Sequence, residues 1–211
     1  LSRRRYDRAD PGDWQFDPAE FARARAWVIE QTGRDFDVDA CADPIGANAH
    51  LPRFWSAADS ALDHSMAGLH IWCNADWELL DPILHHFRRG AAEAPFDTCG
   101  VFVVPEMPSQ RWWRRLKGFE LLRRYGAGQQ LFTYPVRGAL SGRRAAAGPT
   151  RWPVLLLWWP PARRAPAARA RPGGGALPPG AGAREAGGRL ELRGLQLSGD
   201  GRLDAARLRS M

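Results

Sequence analysis

The chain has 211 residues, a net charge of +7 and three cysteines, enough for one domain of ordinary size plus an appendage and too few thiols for a disulfide-stapled scaffold. Its longest strongly apolar run, Val154–Trp159, is far short of the about 20 residues that a membrane helix needs. Charge is unevenly placed, with 20 basic against 19 acidic side chains in residues 1–159 and 10 against 4 in residues 160–211.

Cys41, Cys73 and Cys99 lie in or beside apolar runs without paired metal spacing. Such a sparse, odd set is expected of reduced intracellular thiols packed as small hydrophobes. No secretory leader is visible, and a soluble intracellular protein is expected, nuclear if its source is eukaryotic. The chain begins at Leu1 and is expected to be part of a longer reading frame.

Residues 1–13 are polar and arginine-rich and read as a flexible arm. A helix is predicted from Asp17-Pro18-Ala19-Glu20, where Asp17 can cap, Pro18 suits the first helical position and Glu20 completes a capping box. Phe16 and Phe21 have the spacing of a hydrophobic staple, and Phe21, Ala24 and Val28 form an apolar stripe up to Gly33. Phe36 to Cys41 alternates like a strand and enters a turn-rich loop, Asp43 to His50. A second strand is predicted from Leu69 to Cys73. It ends in Asn74-Ala75-Asp76-Trp77, an amide side chain, a tight turn and a ring. Delivering such groups to the carboxyl end of a strand is a common way for an α/β sheet to build a site.

A helix over Leu79 to Arg89 follows, with Pro82 in its first turn. Gly100 to Val104 is a continuous apolar run, the mark of a strand buried on both faces. Ser109 is read as the cap of a short helix through Trp112, Trp113 and Leu116. Glu120–Tyr125 and Gln130–Tyr134 read as strands around a Gly126-Ala127-Gly128 turn, and Val154–Trp159 as the last strand. Strands alternating with helices imply a mainly parallel sheet covered on both faces. Residues 160–188 are mostly Pro, Ala, Gly and Arg without periodicity, and disorder is expected. Residues 189–209 have only weak leucine periodicity. The predicted division is an arm at 1–13, a domain at 14–159 and a tail at 160–211.

Several segments in order resemble the phage-type DNA N6-adenine methyltransferase family, most of all the copies carried by retroelements in green algae. They are Asp13-Trp14 with Pro18, Phe36 to Ala42, Asn48-Ala49 with Phe54-Trp55, Asp59 and Leu62, Gly68 with Trp72-Cys73-Asn74, Val103-Val104-Pro105 with Trp112-Trp113, and Leu131-Phe132. The resemblance covers roughly residues 10–159. It implies a Rossmann-like class I methyltransferase fold, S-adenosylmethionine lying across the carboxyl ends of the sheet, and DNA as substrate, with other domains of a retroelement polyprotein as partners.

By the same resemblance Asp39-Ala40-Cys41-Ala42 occupies the place of the first cofactor loop, and Asp39 or Asp59 would accept hydrogen bonds from the cofactor's amino group or ribose. Asn74, Ala75, Asp76 and Trp77 stand at the catalytic loop, which reads Asn-Pro-Pro-aromatic in the family. There the Asn oxygen and the following carbonyl hold the adenine amine, and the ring stacks on a base swung out of the duplex. Ala75 and Asp76 replace both prolines here, which frees the loop by roughly 0.4–1 kcal/mol of chain entropy each and adds a carboxylate where DNA approaches. Active enzyme and inactive nucleic-acid-binding remnant both remain open at this point.

Arg111, Trp112, Arg114 and Arg115 are candidates for a base-stacking and phosphate-contacting surface, or for one core Trp under a solvated basic face. His85 and His86 are adjacent and point to different faces of a helix, and His50, His64 and His70 lack ligand-like spacing, so no metal is expected.

Overall fold

A computed structural model describes residues 14–135 and 144–163. The arm at 1–13 and all but the start of the tail, each with an expectation above, lie outside the described residues. In chain order the elements are β1 (Gln15–Phe16), α1 (Pro18–Thr32), β2 (Val38–Ala42), β3 (Phe54–Ser56), β4 (His70–Cys73), α2 (Leu80–Glu93), β5 (Cys99–Pro105), β6 (Glu120–Tyr125), β7 (Phe132–Pro135), β8 (Arg144–Ala146) and β9 (Val154–Trp159). Short 3-10 helices span Ala61–Asp63, Trp77–Leu79 and Arg111–Leu116.

The main sheet has the order β3-β2-β4-β5-β9-β6. Neighbours from β3 to β5 pair in parallel, while β9 runs antiparallel to both β5 and β6. Five strands therefore share one direction and β9 alone is reversed, so the protein is α/β with a mostly parallel sheet, compatible with a Rossmann-like fold. From β2 the chain steps to β3 on one side and then crosses to β4 on the other. The ends of β2 and β4 thus flank a topological switch point, the crevice where open α/β sheets bind ligands.

Strand alternation sorts the core onto two faces. Ile71, Cys73, Phe102, Val104, Leu155 and Leu157 pack with Leu80, Ile83, Leu84 and Phe87 of α2 on one face. Trp72, Val101, Val103, Leu156 and Trp158 pack with Phe21, Ala24 and Val28 of α1 on the other. All seven residues of β5 are buried, as its unbroken apolar run requires. The edge strand β6 is mostly exposed and carries Arg123 and Arg124, charges that discourage edge pairing.

Asp17 caps α1, its Oδ1 accepting from the amides of Ala19 and Glu20 at 2.9 Å each. Gly33 ends the helix in the left-handed conformation at φ 72°. The capping box is not formed, because the Asp17 amide donates to the Leu131 carbonyl at 2.8 Å. The Glu20 carboxylate instead accepts from the Tyr125 hydroxyl at 2.7 Å and pairs with Arg23 and Arg123.

Other expectations shift. α2 begins after a 3-10 turn and runs to Glu93 rather than Arg89. Gly90 serves packing, since a Cβ there would lie 2.9 Å from backbone atoms of Met66 and Ala67. Gln110, not Ser109, precedes the 3-10 helix and gives no side-chain cap. The strand after Gly128 leaves the main sheet: β7 pairs with β1 and β8 in a separate three-stranded sheet. No described helix is long and apolar enough to cross a membrane.

Candidate functional site

A cleft of about 700 Å³ opens over the carboxyl ends of β4 and β5 and the start of β9. Asn74 to Glu78 form one wall. The three-stranded sheet contributes Phe132 and Tyr134 to the lining, and the segments flanking it contribute Trp14 and Ala147 to Trp152. The volume lies in the range of small-ligand sites, about 300–1,000 Å³.

Asn74 follows directly on β4, and its Nδ2 donates to the Trp14 carbonyl at 3.1 Å. A carbonyl can only accept, so this bond fixes which way round the amide lies. The Oδ1 therefore points away from Trp14 and has no protein partner among the described residues. Ala75 turns inward and is buried in the α2-side core. Asp76 precedes the 3-10 turn at φ −56° without capping it. Trp77 is 37% exposed and Trp152 is 40% exposed. Their rings meet edge to face, with centroids 5.0 Å apart and planes at 78°. The four residues expected at the catalytic loop are thus brought together, and three of them offer polar or aromatic groups to the cleft.

The residues expected to hold a cofactor do not line this cleft. Ala40 and Ala42 are buried, and Cys41 is half-buried with its sulfur 3.7 Å from that of Cys73. Asp39 turns inward, its carboxylate accepting from the His50 amide at 2.9 Å and the Cys41 amide at 3.4 Å. Burial lifts its pKa to about 6. Asp59 binds the His64 ring at 2.7 Å and is largely exposed, and that ring stacks on Trp55. Of the two acids, only Asp59 keeps an oxygen open to solvent. Asp59 is therefore the acid in this set that could accept from a ligand, while Asp39 is already spent on backbone amides.

The basic candidates lie on the α2 flank, around a second cavity of about 490 Å³ lined by Asp81, Arg88, Arg111, Arg114, Arg115 and Lys117. Trp112 is buried in the core and offers no face to a base. Asp81 pairs with Arg111 at 2.9 Å and Arg115 at 2.6 Å. Those guanidinium groups, Arg115 first, hold its carboxyl below the usual carboxylate range. Arg88 donates to the carbonyls of Arg115 and Lys117 and stacks over Trp159 at 4.9 Å. Arg114 and Lys117 are exposed. Among the described residues no group of three His, Cys, Asp or Glu side chains could hold a metal ion.

Trp152 and Tyr134 were not read as site residues from the sequence. The usable signal at Trp152 was a large ring set between Pro149 and Pro153 in a loop otherwise made of small and basic residues. No protein-family model matches the sequence, and no curated protein matches it either.

Proposed function

We propose that the chain is a DNA adenine-N6 methyltransferase-like domain of a mobile element whose cleft receives an adenine swung out of the stack. The observation that carries this reading is the Asn74 amide, bound to Trp14 through Nδ2 so that Oδ1 is left as an acceptor, in a cleft that the paired Trp77 and Trp152 rings also line. An adenine exocyclic amine needs such an acceptor, and its ring needs an aromatic face. The switch-point position of the loop supports the same reading.

DNA would lie along the basic flank as well. In a 3-10 helix residues three apart eclipse, with a rise of about 2 Å per residue. Arg111 and Arg114 therefore follow one another along one edge about 6 Å apart, a step suited to successive phosphates of one strand, and Lys117 follows just past the helix end. Contacts of this kind give affinity without sequence preference. The polyprotein setting, and S-adenosylmethionine as methyl donor, belong to this reading through the resemblance alone.

A second reading, a nucleic-acid-binding remnant that transfers nothing, is favoured by the inward-facing Asp39 and the buried Ala40 and Ala42. Tritiated methyl transfer to DNA by the parent and by an Ala75→Pro, Asp76→Pro variant separates the two. Proline requires φ near −65°, and Asp76 already sits at −56°. If the loop alone limits the reaction, the variant transfers methyl at least about 100-fold faster than the parent, the scale of a 1 Å repositioning. A variant that binds DNA but transfers nothing decides for the remnant.

A further inference from the structure

The ends of β2 and β4 carry two thiols that the base-binding reading does not use. Cys41 Sγ lies 3.7 Å from Cys73 Sγ. Val38 pairs with Ile71 and Asp39 with Trp72, and β2 is irregular between Asp39 and Ala42, so Cys41 leaves the strict alternation and packs with Cys73 against the α2-side core. Cys99 packs on the α1-side face, away from this pair.

We infer that Cys41 and Cys73 are a dithiol–disulfide couple at the switch point, closed by a small uncharged peroxide and reopened by a dithiol reductant. Cys73 is fully buried, whereas Cys41 is half-buried, so Cys41 meets the oxidant first. The contact with Cys73, then burial, then the carboxylates of Asp39 and Asp76 push the Cys41 thiol well up. Those carboxylates also disfavour anionic oxidants, and a thiol kept protonated reacts slowly with peroxide and disulfide alike, so the couple closes slowly and a small uncharged oxidant is the one that reaches it. In the first step Cys41 loses its proton, its sulfur attacks one peroxide oxygen, the O–O bond breaks, and the leaving hydroxide takes the proton as water. In the second, Cys73 sulfur attacks the Cys41 sulfenic acid, the S–S bond forms, the S–O bond breaks, and hydroxide leaves with the Cys73 proton as the second water. Two thiols lose two electrons and one peroxide becomes two waters.

Closure draws the sulfurs together by about 1.7 Å, since a disulfide is about 2.0 Å long. Cys73 immediately precedes Asn74, so the bond pulls on the strand end that places the cleft's acceptor. The couple itself rests on the sulfur geometry; its effect on the cleft rests on the base-binding reading.

The folded chain is treated with hydrogen peroxide, unfolded in an alkylating reagent and mapped by peptide mass. Two of the three free thiols should be lost, a Cys41–Cys73 linked peptide should appear, and dithiothreitol should restore both. Cys99→Ser should leave the link intact, and Cys41→Ser should abolish it without relying on a substitution in the buried position. Over-oxidation of Cys41 with Cys73 still free, a link that includes Cys99, or three thiols surviving would each overturn the couple. DNA carrying 2-aminopurine at the target position gives the second readout. A disulfide that forms while the base signal stays unchanged removes the control of the cleft and leaves the couple standing.

Discussion

β2 and β4 both end in small residues followed by polar ones, yet the polar atoms at the two ends have opposite fates. After β2, Asp43 accepts from the amides of Ile45, Ala47 and Asn48 at 2.9–3.0 Å, and the Asn48 side chain returns an acceptor to the Asp43 amide at 2.7 Å. Asp39 is spent on the amides of His50 and Cys41. After β4, Asn74 makes one bond and keeps its oxygen, and Trp77 keeps over a third of its surface. Similar composition thus serves the fold at one strand end and leaves groups for a ligand at the other. What separates the ends is whether the chain returns over the strand to collect the hydrogen bonds, as residues 43–50 do after β2.

The largest effect that sharpens this contrast is expected at Asp43. Asp43→Ala leaves three loop amides without their acceptor, at about 1–3 kcal/mol each, so urea unfolding should show a loss of at least about 3 kcal/mol. A loss under about 1 kcal/mol would mean that the β2 end is as open as the β4 end, and the comparison breaks.

Asp39 comes next, with a pH signature. Its folded pKa of about 6 lies above the ordinary 3.8, so the folded state holds a proton that the unfolded state releases. Its contribution to stability is therefore greatest below pH about 4, falls as pH rises to about 6, and is level above that. Asp39→Asn keeps an oxygen for the His50 amide and removes the charge. The variant should be more stable than the parent at pH 7 by about 3 kcal/mol, with the gap closing by pH 4 in thermal melts. A gap that persists at pH 4 would show that the buried charge is not its cause.

At the β4 end the stability effects should be smaller and the binding effects larger. Asn74→Ala removes one hydrogen bond, about 1 kcal/mol, but should abolish the 2-aminopurine signal of a displaced base. Trp77→Ala should do likewise. Retention of the signal in both would move base capture out of this cleft.

The smallest expected effect on folding is at the basic flank. Arg114→Ala with Lys117→Ala should leave the melt unchanged, since both side chains are exposed. The slope of log affinity against log salt for DNA should fall by about 2, close to 0.9 per phosphate contact. An unaltered slope would free these cations from any role with DNA.

Much of this protein was fixed by its local sequence. The Asp17 cap, Pro18 and the Phe21, Ala24, Val28 stripe suffice for α1, because helix signals act within four residues. The unbroken run at β5 suffices for a strand buried on both faces, and the strand into Asn74 was legible from its apolar residues and polar end. Tertiary structure decided what depends on distant partners. It inserted β9 reversed between β5 and β6, moved β7 into a second sheet, and turned Trp112 inward. It brought Cys41 beside Cys73 and set Trp152 against Trp77. The orientation of the Asn74 amide was decided by a carbonyl 60 residues away in sequence. Periodicity and capping report only on near neighbours, whereas strand order and the fate of each polar atom follow from which remote segment arrives to cover it.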